Sequence, residues 1–189
     1  MSVDPNALVC ICMNTVGEHI KEKKNNFGHR RKRAICLPLL CLLLFACHNP
    51  PSMNKITPHP LRLRPGQLLR EEIEAYVKKN NIEAGWIASC VGSLAQYHIR
   101  FANQPRGNRA QGHFEIVSLN GTVSENGSHM HISISDSTGV TTGGHLLDSC
   151  IIYTTAEIII LETDRYRFRR EKDGTTPWEE LQIEQVPKP

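Results

Sequence analysis

The run His129-Met130-His131-Ile132-Ser133-Ile134-Ser135 alternates polar and apolar residues without a break. That period of two calls for a strand with one face buried and the other wet. Met130, Ile132 and Ile134 then point into a core, while His129, His131, Ser133 and Ser135 share the opposite face. Asp136-Ser137-Thr138-Gly139 reads as a turn. The segment from Val140 to Thr142 therefore returns beside the strand and brings His145 back towards the pair, across Gly143-Gly144, where the backbone is free to approach closely. Three imidazoles so spaced suit a divalent metal, zinc above all, because three nitrogen ligands leave one position open for water or a ligand. The same spacing also serves a polar, half-exposed sheet face on which histidines bond to hydroxyls, and spacing alone favours that reading slightly. No His-Glu-x-x-His helix signature and no Cys-x-x-Cys pair accompanies the cluster.

Other patterns place this strand in a larger sheet. Cys150 to Leu161 is the longest apolar segment of the C-terminal part, rich in β-branched residues, and reads as a central strand buried on both faces. Leu61 to Arg64 is a short strand broken by Pro65-Gly66. Leu69, Ile73, Tyr76 and Val77 recur at helical spacing with charged residues between them, which predicts an amphipathic helix ending near Asn80-Asn81 and covering one sheet face. Trp86 to Val91 and the alternating Tyr97, Ile99 and Phe101 read as neighbouring strands parted at Gly92-Ser93. Phe114 to Leu119 and Thr122-Val123 read as strands around an Asn120-Gly121 turn. His98 and His113 fall at the edges of this region and read as surface residues. Arg165 to Arg170 alternates strictly, with Tyr166 and Phe168 on one face and Arg165, Arg167 and Arg169 on the other. This is the best nucleic-acid candidate of the domain, yet acidic residues flank it, and an arginine-rich edge strand also discourages aggregation.

The chain has 189 residues and a formal charge of +3, which bounds it to one globular domain plus a tail. Residues 1–60 hold 8 Lys/Arg against 3 Asp/Glu, and the rest 14 against 16, so the excess of positive charge belongs to the tail. A domain built to grip phosphates would be strongly basic. Within the tail, His29-Arg30-Arg31-Lys32-Arg33 precedes an apolar run from Ala34 to Cys47 that is too short to cross a bilayer comfortably and suits the core of a signal peptide. Leu44-Phe45-Ala46-Cys47 resembles a bacterial lipobox, which implies lipidation of Cys47, export and anchoring in the cell envelope. Pro38 interrupts the run, and the region before it is long unless translation starts at Met13. A short hydrophobic anchor, or a cytoplasmic protein whose upstream stretch is not a functional signal, is the alternative. Expected boundaries are 1–47 for the targeting segment, 48–60 for a Pro-rich linker and 61–185 for the domain. Five of the seven cysteines lie in the tail. Cys90 and Cys150 sit in apolar strands and read as buried thiols.

Seven ordered blocks resemble one family, the domain shared by plants and prokaryotes called PPC and also described as PD1-like DNA-binding. They are Leu61-Arg62-Leu63-Arg64-Pro65-Gly66, Cys90-Val91-Gly92-Ser93-Leu94 with Ile99-Arg100, Gly112 to Gly121, the histidine motif, Gly143-Gly144-His145-Leu146, Thr155 to Ile160, and Trp178-Glu179-Glu180-Leu181. The resemblance implies a single compact α/β domain, a mostly antiparallel mixed sheet with a flanking helix, assembled as a homotrimer. It also implies a metal cluster at His129, His131 and His145, with Arg100, Glu115 and Glu157 as candidate pocket residues. The function expected is a non-catalytic oligomeric module that binds a divalent metal, or a small ligand, through the three histidines. One alternative is a metal-dependent hydrolase-like enzyme in which Glu115 or Glu157 is the general base. A further alternative is DNA binding through the arginine ribbon, disfavoured because the Arg-Gly-Arg-Pro hook of plant relatives is absent here.

Overall fold

A computed structural model of the chain describes residues 54–187. The targeting segment, its Cys47 and residues 48–53 of the expected linker lie outside the described residues. Among those described, no helix is long and apolar enough to cross a membrane.

Strand β1 (Ile56–Leu63) starts inside the stretch expected as linker. Its two prolines are tolerated because β1 is an edge strand, where a missing N–H faces no neighbour; it pairs with β6 (Ile151–Thr163), matching Pro58 to Leu161 and Pro60 to Ile159. Helix α1 (Leu69–Lys79) follows the expected pattern and buries Leu69, Ile73 and Val77. Glu71 and Glu72 in its first turn and Lys78 and Lys79 in its last complement the helix dipole. No side chain caps its start; the Leu69 N–H instead donates to the Cys150 carbonyl at 2.8 Å, which ties the helix to the end of β6.

The remaining strands are β2 (Gly85–Arg100), β3 (Asn108–Ser124), β4 (Gly127–Ser135), β5 (Thr141–Leu146) and the hairpin β7 (Tyr166–Glu171) with β8 (Glu180–Gln185). The main sheet runs β1-β6-β2-β3-β4-β5, and every pairing is antiparallel. β5 also returns to β2, opposing Ile99 to Leu146 and Arg100 to His145, so β2 to β5 close on one another. Leu94, Ile99, Met130, Ile134 and Leu146, all essentially inaccessible to solvent, form the core together with the buried residues of the helix and β6.

Three expectations change. The two strands parted at Gly92-Ser93 are one strand, in which Gly92, with φ +153°, absorbs a bulge; a Cβ there would lie 2.2 Å from the Thr155 carbonyl oxygen. Asn120-Gly121 is likewise no turn: β3 runs through it, and the chain reverses later, at Glu125-Asn126. β6 is an inner strand but buries only one face; Ile152, Ala156, Ile158 and Ile160 are covered while Tyr153, Glu157 and Ile159 are exposed. Its β-branched content reflects strand propensity and carries no information on how many faces are covered. Cys90 and Cys150 are free and buried as expected, and burial pushes their thiols up to about 12 and about 11.

Candidate metal centre

The alternation in β4 buries Met130 and Ile132 at 2% exposure each and turns His129 and His131 outward. Asp136 makes the following turn: its Oδ1 accepts hydrogen bonds from the N–H groups of Thr138 and Val140 and from the Thr138 hydroxyl. These bonds hold its carboxyl below the usual range. β5 then returns in a register that sets His145 directly opposite His131.

The three rings meet. Their centroids lie 5.0, 5.0 and 5.6 Å apart, and one nitrogen from each lies within 4.8 Å of the other two. His129 Nε2 and His131 Nε2 are 3.2 Å apart. Two imidazole nitrogens bound to one tetrahedral zinc at about 2.05 Å would stand roughly 3.3 Å apart, so this pair already has the span of a shared ion. Nδ1 of His145 is buried and has no hydrogen-bond partner among the described residues, an orphan that a metal would satisfy. Burial first, then the positive charges of His129, Arg100 and His131, lower His145 to about 4. Burial and Arg170 lower His129. Both rings are therefore neutral at pH 7, the form in which imidazole binds metal. The donor set fits a divalent ion such as zinc.

A cleft of about 660 Å³ opens beside the cluster, lined by His129, His145, Arg100, Arg170, Trp178 and Glu180 among others. Arg170 comes from β7: its guanidinium donates to the Thr122 hydroxyl at 2.8 Å and lies 3.4 Å from His129 Nδ1. The Arg100 guanidinium lies over the Trp178 ring, 5.2 Å from its centroid.

The expected pocket residues divide. Arg100 lines the cleft, whereas Glu115 and Glu157 do not. Glu115 is an exposed residue of β3 opposite Ser135, at the far end of β4 from His129. Glu157 opens onto a separate groove with Arg62, Ser89 and Val91. A water on the three histidines would thus find neither carboxylate in reach. His98 bonds to Asp148 at 2.9 Å, and His113 stacks on Tyr153. The arginine ribbon is also divided. Arg165 lies in the turn before β7 and is only 8% exposed, Arg167 is held by both Glu83 oxygens at 3.0 and 3.1 Å, and Arg169 approaches Glu184 at 3.9 Å. Sequence reasoning missed Arg170 and Trp178. The signal for Arg170 was its place in the alternation, since it follows Tyr166 and Phe168 on their face of the strand and sets a cation where an apolar residue is expected.

The sequence profile of the Plants and Prokaryotes Conserved (PCC) domain matches residues 51–164. The chain is 42% identical over 137 residues to a bifunctional protein GlmU of Synechococcus sp. (strain JA-2-3B'a(2-13)), covering 72% of this chain and 21% of that protein. It thus spans about a fifth of the length of the curated relatives it matches. A solved structure of a hypothetical protein from Salmonella cholerae-suis superposes with a TM-score of 0.68 at 36% identity, covering 71% of this chain and 97% of that one. A plant- and prokaryote-conserved (PPC) protein from Pyrococcus horikoshii superposes with a TM-score of 0.55 at 27% identity, covering 69% and 97%.

Proposed function

The chain belongs to the Plants and Prokaryotes Conserved domain family, and from that premise we propose that it is a non-catalytic binding module that holds one divalent metal, zinc by its donor set, on His129, His131 and His145. The observation that carries this reading is the convergence of three imidazoles from β4 and β5, two of them kept neutral by burial and neighbouring cations. Three protein nitrogens leave the ion a position for a further ligand, which would enter from the adjoining cleft. The chain works as a homotrimer. Support comes from the uncovered side of the sheet, where Val91, 59% exposed, and Ile159, 36% exposed, line a groove with Pro60 and Leu61.

Binding is better supported than hydrolysis through the expected bases, because Glu115 and Glu157 stand away from the cluster. It is better supported than DNA recognition through the arginine ribbon, because Arg167 is paired with Glu83 and Arg165 is buried, which leaves the ribbon little free charge for a phosphate backbone. Elemental analysis of the purified chain tests the reading: about one equivalent of metal is expected, lost when His129, His131 and His145 are all changed to Ala. Metal retained by that triple variant would refute the site.

A further inference from the structure

Arg100 and Arg170 flank the histidines, and among the described residues neither lies within 4.0 Å of a carboxylate. The cleft as a whole carries as many acidic as basic residues, but its acids are partly engaged elsewhere. Glu74 is held by Arg70 at 2.8 Å and by the Ser128 hydroxyl, and Glu180 accepts from the Thr176 hydroxyl. Arg100 and Arg170 both act on His129, opposed there by Glu180. That excess of positive charge beside the imidazoles repels an incoming dication, and an anion at the metal's open position would offset it.

The setting of Arg170 points the same way. Arg170 lies 3.4 Å from His129 Nδ1 and is held there by its bond to the Thr122 hydroxyl. A guanidinium that can only donate thus stands beside the histidines. A ligand at the metal's open position that accepts hydrogen bonds and brings negative charge would meet it.

We propose that the cleft binds an organic anion, a molecule whose carboxylate or phosphate ligates the metal while Arg100 and Arg170 hold its oxygens. The inference rests on the metal reading above. A bare oxyanion would fill little of 660 Å³, a volume typical of small-molecule sites. The organic part lies towards Trp178, whose indole is 61% exposed beside Arg100. Metal and anion bind cooperatively, and by linkage each raises the affinity of the other by the same factor.

The test uses the full chain loaded with Co2+, whose visible absorption reports its ligands, with benzoate and methylphosphonate as probes and benzamide as the uncharged match for benzoate. At least one anion is expected to change the spectrum saturably and to tighten Co2+ about tenfold, and the better probe identifies the head group; benzamide does neither. Arg100→Gln and Arg170→Gln are each expected to weaken the anion about tenfold, and Arg170→Lys, which keeps the charge but loses the fork, falls between. Co2+ bound by the histidines with no response to either anion, or a response unchanged in the arginine variants, overturns the anion site and leaves the metal reading intact. Failure of Co2+ to bind overturns both.

Discussion

His145 shows how a single side chain records the purpose of its surroundings. In an unfolded chain its imidazole takes a proton near pH 6.5; in the fold, burial and the cations around it delay that uptake to about pH 4. The unfolded state thus binds more protons throughout that interval, so stability is full above pH 6.5, falls as pH drops towards 4 and levels off below it. His129 contributes in the same direction. The rings are only partly buried, so solvent screening makes the loss smaller than the bare shift would suggest. Thermal melts of the metal-free protein should show Tm declining over that window, and His145→Gln, which has nothing to titrate, should decline less. An unchanged profile in the variant would mean that the strain of protonation resides elsewhere.

At the scale of elements, the centre is the product of two hairpins and their registers. Gly121 of β3 lies opposite Met130: a Cβ there would stand 2.2 Å from the His129 carbonyl oxygen and 2.7 Å from the Met130 Cα. Gly121→Ala should push β4 away from β3, cost about 1–3 kcal/mol in urea unfolding, and weaken metal binding, because His129 moves with its strand while His145 stays with β5. A variant that loses stability but keeps wild-type metal affinity would show that the histidine geometry is independent of the β3–β4 spacing. This position also marks the limit of what the sequence reveals. Alternation in β4, the Asp136 turn and the return to His145 are local patterns, and all three were legible. Gly92 and Gly121 were legible as places where the backbone does something special, but a turn and a close strand approach both require glycine, and only the partner strand distinguishes them. Arg170 reaches His129 across 41 positions of sequence through a hairpin of its own, so no local periodicity could place it there. The open face of β6 was hidden for the same reason, since propensity reports the strand and tertiary packing decides which faces are covered.

For the whole molecule, two predictions concern features that the domain fold does not by itself explain. The lipobox-like Leu44-Phe45-Ala46-Cys47 gives a direct expectation: the chain should partition with membranes in a bacterial host, and Cys47→Ala should release it; membrane association that survives the change would remove the lipid anchor. The sheet's uncovered face carries the other. Val91, opposite Glu157 in the β2–β6 register, and Ile159, opposite Pro60 in the β1–β6 register, form an apolar surface with a charged rim. Ile159 and Val91 lie outside the core cluster, so their replacement should cost the domain little, whereas a charge buried between copies would cost several kcal/mol. Ile159→Lys should therefore convert a trimer to monomers in sedimentation velocity with a near-native melt. Metal content then separates two architectures. The three histidines converge within one chain, so a monomeric variant is expected to keep its metal; if the metal leaves with the trimer, a neighbouring copy completes the centre, and the single-chain description of the site would have to be abandoned.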